Sequence, residues 1–154
     1  MNILTLADVE RLVNKQKHPS EYSGANKLVQ HLAELPGSLE SYNGYYAFLH
    51  FLGKAVFEEG DVALILGTKS GVDAAHLASA NPGAVVIAVD REFNEMAEEL
   101  AAKYNFEYIV ADATSQVVLD VLDEYGENIS IIFLDTLHSA GQVTGEYQTY
   151  EPYF

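Results

Sequence analysis

Three aspartates stand at or just beyond the carboxyl ends of apolar runs that have the length of β-strands: Asp90, Asp112 and Asp135. In an open parallel sheet, ligands bind beyond the carboxyl ends of the strands, so these acids are candidates for ligand binding. A carboxylate in the position of Asp90 accepts hydrogen bonds from both hydroxyls of a ribose in nucleotide-binding domains. Each acid also has an alternative role, because aspartate often caps the helix that follows a strand.

A loop bounded by glycines, Leu66-Gly67-Thr68-Lys69-Ser70-Gly71, follows the first apolar run. The glycines allow a tight turn and a close approach of a ligand, and the helix that follows offers free backbone N–H groups at its start. A plain tight turn explains the same spacing equally well. The loop lacks the Gly-x-Gly-x-x-Gly pattern of dinucleotide sites and the Gly-Lys-Ser/Thr of phosphate loops. These absences favour a cofactor without phosphates, of which S-adenosylmethionine (SAM) is the common one.

The elements that position these residues are short apolar runs alternating with helical stretches. The runs 62–66, 84–89, 106–110 and 129–134 have strand length, and their lack of polar alternation indicates burial on both faces. This alternation implies βαβ units, so the sequence predicts a Rossmann-like α/β fold with a parallel sheet, strand order 3-2-1-4 and helices on both faces. In the clearest helix, over 92–104, we expect an inward stripe of Phe93, Met96, Ala97, Leu100, Ala101 and Tyr104.

Before about residue 60 the apolar spacing is helical throughout. It predicts three helices, the third over 42–57 with Tyr45, Phe48, Leu49, Leu52 and Val56 facing inward. We therefore expect one domain made of two parts. Residues 1–58 form a helical N-terminal cap, and residues 59–154 form the Rossmann-like core.

Composition excludes several classes of function. The 23 acidic and 8 basic residues give a formal charge of −15, which repels nucleic acid. No apolar run approaches the roughly 20 residues of a membrane helix, and no signal peptide is apparent. The chain has no cysteine, which rules out disulfides, thiolate metal sites and a cysteine nucleophile. We expect a soluble, cytoplasmic protein whose ligand is a small molecule.

The segment Leu64-Ile65-Leu66-Gly67-Thr68-Lys69-Ser70-Gly71 resembles the first motif of class I SAM-dependent methyltransferases. The resemblance implies that Asp90 binds the ribose and that Asp112 with Ala113 lies near the adenine amino group. The cofactor-binding residues that it implies are Gly67, Thr68, Lys69, Gly71, Asp90, Arg91, Asp112 and Ala113.

The segment 132–138, followed by Val143, Glu146, Tyr150 and Pro152, is similar to small-molecule O-methyltransferases related to the cephalosporin hydroxylase and sugar O-methyltransferase families. In those, Asp-x-x-His opens a helix that carries a Val-x-x-Glu-Tyr pattern. The resemblance covers about residues 40–154. It implies that Asp135 and His138 deprotonate or orient a hydroxylated acceptor, and that Asp135 is a possible ligand of a divalent metal. A helix-start residue bonded to the backbone is an equal alternative for His138.

Two departures from the family pattern keep other functions open. Ile65 replaces an acid that helps to organise the methionine end of the site, and the sequence ends at Phe154, before the fifth strand and the later acids. We therefore expect an incomplete metal site. A non-catalytic relative used for binding or assembly is one alternative, and a nucleoside or NAD-type binder is another. Strand 129–134 is expected at a sheet edge, covered by a second copy or a partner chain.

Overall fold

The computed structural model describes residues 49–50, 52–54, 57–137 and 139–153. From residue 62 onward, strands alternate with helices. The elements are β1 (Val62–Leu66), α1 (Val72–Ala80), β2 (Val85–Asp90), α2 (Glu95–Tyr104), β3 (Glu107–Val110), α3 (Gln116–Tyr125), β4 (Ile129–Leu134) and α4 (Ala140–Tyr150). Short 3-10 turns follow α3 and α4, at Gly126–Asn128 and Glu151–Tyr153. No helix in these ranges is long and apolar enough to cross a membrane.

The four strands form one parallel sheet in the order β3-β2-β1-β4. Leu64, in the middle of β1, is aligned with Ile87 of β2 on one side and with Ile132 of β4 on the other. The register between β1 and β4 shifts once, between Val62 and Ala63. The Rossmann-like fold and its predicted strand order are therefore confirmed.

Side chains of β1 alternate between two apolar layers, one on each face of the sheet. Ile65 packs with Leu77 of α1 and Leu100 of α2. Leu64 lies on the opposite face, in a layer that contains Leu122 of α3 and Tyr150 of α4. Each fully buried side chain of this kind contributes about 1.5–3 kcal/mol relative to an exposed one. Helices thus cover both faces, as the apolar strands require.

The predicted inward stripe of the second helix is partly wrong. The helix begins at Glu95, because the Asn94 side chain accepts hydrogen bonds from the backbone N–H groups of Met96 and Ala97 and caps it there. Phe93 therefore lies outside the helix and is 61% exposed, and Met96 in the first turn is 50% exposed. Ala97 and Leu100 are buried as predicted.

The prediction that both faces are buried is also wrong for the third strand. β3 lies at one edge of the sheet and pairs with β2 alone among the described strands. Glu107 and Val110, at its two ends, are exposed. An edge strand of a twisted sheet is covered less completely than a central one, which an apolar run by itself does not reveal.

Among the large apolar side chains of the last helix, Tyr150 alone is buried. Val143 and Tyr147 are 45% and 50% exposed, whereas Tyr150 is fully buried and its hydroxyl donates to the carbonyl oxygen of Ala113. Burial raises the pKa of Tyr150 well above its usual range. The inward pair is Glu146 and Tyr150, four residues apart. Phe154 lies outside the described residues.

In the N-terminal part of the chain, the described residues test only the prediction of the third helix. Within the third expected helix, residues 49–50 and 52–54 are helical, and Leu49 and Leu52 are buried as predicted. The first two expected helices, and Tyr45, Phe48 and Val56 of the third, lie outside the described residues. The division into 1–58 and 59–154 stays a prediction.

Strand β4 forms the second edge of the described sheet. It is longer than β3, with six residues against four, and it carries no charged side chain. Charged residues and short strands are the usual means of preventing edge-to-edge pairing. The self-association predicted through 129–134 is compatible with the position of β4 at the edge of the described sheet and stays a prediction.

A lysine on this edge is expected to weaken self-association. Ser130 lies half-buried in β4, and Asn128 is exposed in the preceding turn. Ser130→Lys should shift the protein toward monomer, because a charged edge resists pairing, whereas Asn128→Lys makes the same charge change off the strand and should not. Sedimentation velocity across a micromolar concentration series measures the shift. A monomeric wild type, or an equal response of both variants, contradicts the prediction.

Candidate functional site

A cleft of about 830 Å³ opens beyond the carboxyl ends of the four strands. Strand order reverses between β1 and β4, the position at which α/β sheets bind ligands, and the volume suits a small molecule. The predicted residues that line the cleft are Gly67, Thr68, Lys69, Asp90, Arg91, Asp112, Ala113 and Asp135. The structure thus brings together eight of the ten. His138 lies outside the described residues, and Gly71 packs elsewhere.

Gly67 joins the ends of β1 and β4. Its φ of +89° lies in the region that favours glycine, and a β-carbon there would lie 2.6 Å from the carbonyl carbon of Asp135. Directly beside this contact, the Asp135 N–H donates to the Leu66 carbonyl oxygen at 2.8 Å. A larger residue would therefore collide with protein backbone. The glycine is required for strand packing whether or not a ligand approaches it.

Gly71 begins helix α1 and faces α2. It has a φ of +76°, and a β-carbon would lie 3.0 Å from the α-carbon of Ala97 and 3.2 Å from the Phe106 ring. The absence of a side chain lets α1 and α2 pack closely. Gly71 thus affects the loop through its packing against α2, on the side away from the cleft lining.

Hydrogen bonds to the Asp90 side chain link the loop after β1 to the segment after β2. Its Oδ2 accepts from the Lys69 N–H at 2.7 Å, and its Oδ1 accepts from the Glu92 N–H at 3.0 Å. Lys69 adopts a positive φ of 52° in this arrangement, which is uncommon for a residue with a side chain. Each carboxylate oxygen retains a second acceptor position, so the geometry leaves room for ribose hydroxyls.

Two of the N–H groups that we expected to be free at the start of α1 already donate hydrogen bonds within the protein. The Ala74 N–H donates to Asp73 Oδ1 at 2.8 Å, and the Gly71 N–H donates to the Thr68 carbonyl oxygen at 2.9 Å. The Asp73 carboxylate in the first turn also neutralises the positive end of the helix dipole. Because of this acid, the helix start is unsuited to an anion, in agreement with a cofactor that lacks phosphates.

Asp73 is a site residue that the sequence reasoning missed. It lines the cleft, is 6% exposed, and accepts a 2.5 Å hydrogen bond from the Thr68 hydroxyl. Burial raises the pKa of Asp73 to about 6, against the lowering effect of the Thr68 hydrogen bond, and the charge of Asp135 adds a smaller rise. In the sequence, only the position of this acid in the otherwise largely apolar stretch Val72–Ala80 could have indicated a site residue.

Asp112 forms the turn between β3 and α3. Its Oδ1 accepts from the Thr114 hydroxyl at 2.7 Å and from the Thr114 N–H at 2.9 Å, and the hydroxyl bond lowers the pKa of Asp112. The sequence left open that Asp112 caps the next helix, but Ser115 is the N-cap of α3, and Asp112 forms the turn before it. Neighbouring Ala113 is buried and is anchored to α4 through its carbonyl oxygen and Tyr150. The adenine role of this pair stays a prediction.

A buried carboxylate connects the end of β4 to α4. Glu146 is fully buried and accepts from the Thr136 hydroxyl at 2.7 Å and from Gln142 Nε2 at 2.6 Å. All three side chains line the cleft, next to Asp135. The Val-x-x-Glu-Tyr pattern singled out Glu146, but its hydrogen-bond partners were not foreseen. Among the described residues, no three His, Asp or Glu side chains are grouped to hold a metal, so the possible metal role of Asp135 stays a prediction.

The charges around the cleft are unequal. Arg91 and Lys69 are the basic residues in its wall, and the Arg91 guanidinium lies 3.8 Å from the Glu92 carboxylate, with both side chains exposed. The acids in the wall are Asp73, Asp90, Glu92, Asp112, Asp135 and Glu146. Six carboxylates against two cations give a negative field that attracts cationic ligands and repels phosphates.

No protein-family model and no curated protein matches this chain. Among solved structures, a crystal structure of a fibrillarin/Nop5p complex is similar, with a TM-score of 0.46 and 20% sequence identity. The match covers 60% of this chain and 46% of that chain, so it spans less than half of the solved chain. The fold assignment rests on the strand order and on the helices that cover both faces of the sheet.

The close approach at Gly67 predicts a large loss of stability on substitution. Gly60 has the same φ of +89°, but a β-carbon at that position would meet nothing within 4 Å, so Gly60→Ala is a matched control for backbone strain. We expect Gly60→Ala to lower the free energy of unfolding by about 1–2 kcal/mol. Gly67→Ala should lower it by a further ~2 kcal/mol or more, because the strand ends must separate. Urea denaturation compares the two, and equal losses would refute the packing role.

The buried acid predicts a specific dependence of stability on pH. Asp73 has a raised pKa of about 6, so the folded state keeps its proton where the unfolded state, with a pKa of 3.8, has lost it. Its contribution to stability must therefore fall as pH rises from about 4 to 6, by on the order of 3 kcal/mol. Asp73→Asn, which keeps an acceptor oxygen, should remove this fall.

The control for the pH prediction is Asp120→Asn. Asp120 is exposed on α3 and does not line the cleft. Its variant loses the same charge and should retain the wild-type slope of unfolding free energy against pH. Urea denaturation at closely spaced pH values gives these slopes, and parallel slopes for the wild type and Asp73→Asn would contradict the prediction.

Proposed function

We propose that this chain binds SAM in the acidic cleft and transfers its methyl group to a small hydroxylated molecule. The observation that carries the proposal is the position of the cleft, at the strand-order reversal of a Rossmann-like sheet, with an acid at the end of β2 and six carboxylates in its wall. SAM has a ribose, a sulfonium and an ammonium group and no phosphate, so its chemistry fits this set of residues. NAD carries a pyrophosphate, which the same residues disfavour.

Different parts of the wall would hold different parts of SAM. Asp90 has acceptor positions left for the ribose hydroxyls, and Asp112 with Ala113 lies at the end of β3, where the adenine is expected. The loop Gly67–Lys69 lies between the ends of β1 and β2 and would contact the sulfur-bearing side. When bound, SAM supplies a methyl group on a positively charged sulfur.

Asp135 is the residue proposed to act on the acceptor. It follows β4, beside the loop after β1, and lines the cleft. Its carboxylate would orient an acceptor hydroxyl or accept its proton, since a deprotonated oxygen is the stronger nucleophile. Alignment of that oxygen with the methyl group would contribute much of the rate. We assign His138 the same role of deprotonation or orientation on the basis of its sequence motif.

Binding without transfer is the second candidate function, and one observation favours it. Ile65 is fully buried between the sheet and helices α1 and α2, so β1 places no carboxylate in the cleft at that position. A protein of this kind would bind SAM or its nucleoside and release it unchanged. Transfer of a labelled methyl group from SAM to a hydroxylated acceptor separates this candidate from the methyltransferase.

Titration calorimetry is the direct test of the proposed ligand. We expect SAM and S-adenosylhomocysteine to bind, and NAD not to bind, because its pyrophosphate would meet the acidic wall. Asp90→Ala should weaken SAM binding by ~1.5–3 kcal/mol, the range for hydrogen bonds to a charged group. The matched control is Asp120→Ala, which loses the same carboxylate outside the cleft and should bind SAM like the wild type.

The Asp90 result is read together with the stability of the variant. Asp90 also accepts hydrogen bonds from the Lys69 and Glu92 N–H groups, so the melting temperature must show that the variant is folded. Unchanged SAM affinity in folded Asp90→Ala would rule out the ribose role. Binding of NAD in preference to SAM by the wild type would rule out the proposed function.

A further inference from the structure

Asp73 is an acid in an unfavourable environment. The residue is only 6% exposed, and within the described residues no lysine, arginine or histidine forms an ion pair with it. An ionised carboxylate that is removed from water without a cation nearby costs free energy, which is the reason for its raised pKa. Groups with a strongly shifted pKa are concentrated at functional sites.

The two oxygens of Asp73 differ in their surroundings. The Thr68 hydroxyl and the Ala74 N–H both donate to Oδ1. Oδ2 accepts no hydrogen bond from another residue of the described chain. Because the residue lines the cleft, this second oxygen is the one that a bound molecule can engage.

The surroundings of Asp73 favour a small cation as that bound group. Asp135 lies close enough for its negative charge to raise the pKa of Asp73, so two carboxylates act on the same region of the cleft. Lys69, on the same loop as Thr68, is exposed and its backbone is held by Asp90. A third carboxylate for a metal is not grouped with the pair among the described residues, whereas a primary ammonium needs only acceptors and negative charge.

We propose that Asp73 binds the ammonium group of an α-amino-acid moiety on the ligand and so sets the specificity of this end of the cleft. The inference rests on the proposed function, since SAM and S-adenosylhomocysteine carry such a moiety. Thr68 is the positioning residue, because its hydroxyl holds Oδ1 and thereby orients the carboxyl group. Asp135 supplies the second negative charge.

The test compares ligands that differ at the proposed contact. S-adenosylhomocysteine carries the amino acid moiety, its deaminated analogue keeps the carboxylate without the ammonium, and 5′-methylthioadenosine lacks both. Titration of the wild type should show S-adenosylhomocysteine binding roughly ten- to hundredfold more tightly than the deaminated analogue. This comparison needs no variant, so it does not depend on whether any substituted chain folds.

The variant Asp73→Asn gives the second arm of the test. Asparagine keeps an acceptor for Thr68 and Ala74 and removes the charge, so a purely structural role would leave ligand selectivity unchanged. We expect its affinity for S-adenosylhomocysteine to fall roughly ten- to hundredfold, with its affinity for 5′-methylthioadenosine unchanged. The matched control, Asp120→Asn, removes the same charge outside the cleft and should change neither affinity.

The outcomes separate this inference from the proposed function. If the wild type binds S-adenosylhomocysteine and its deaminated analogue equally, the ammonium contact is overturned while the nucleoside site stands. If Asp73→Asn weakens both adenosine ligands alike, or neither, the contact is overturned as well. If the wild type binds none of the three ligands, the proposed function and the inference fall together.

Discussion

The contact between the ends of β1 and β4 is the constraint on which the cleft depends. The Asp135 N–H donates to the Leu66 carbonyl oxygen, and the Asp135 backbone then lies against the α-carbon of Gly67. Because Gly67 has no side chain, the two strand ends approach at backbone distance. The loop after β1 and the acid after β4 are thereby brought to one place, although they are almost 70 residues apart in sequence.

Hydrogen bonds that aspartate carboxylates accept then hold the loops around that contact. Asp90 accepts from the backbone of both Lys69 and Glu92, and Asp112 forms the turn after β3. At the end of β4, Glu146 connects α4 to Thr136. The same acids that shape the cleft also make it negative. The structure of the cleft and its negative charge therefore have a common origin, and a substitution that alters one is expected to alter the other.

The repeated apolar runs predict the framework well, because their signal is local. Residues 62–66 and 129–134 are strands with the predicted bounds, and the parallel order follows from the alternation with helices. The predicted acids at three strand ends line one cleft, since parallel strands end on the same side of the sheet. Local capping explains the main failure in the framework: Asn94 starts α2 late and leaves Phe93 outside it.

The sequence by itself therefore determined the strands and the parallel sheet, because these follow from short-range spacing. It also indicated eight residues of the cleft wall, through the strand ends and the resemblance to a methyltransferase motif. Only the tertiary structure decided which polar residues are buried. Asp73 is buried in the folded chain. The Tyr150 hydroxyl donates a hydrogen bond to the carbonyl oxygen of Ala113, 37 residues earlier in the chain. The burial of a polar group depends on which distant element packs over it, and the pKa of Asp73 and the environment of Glu146 depend on that packing. The spacing of residues along the chain does not contain this information.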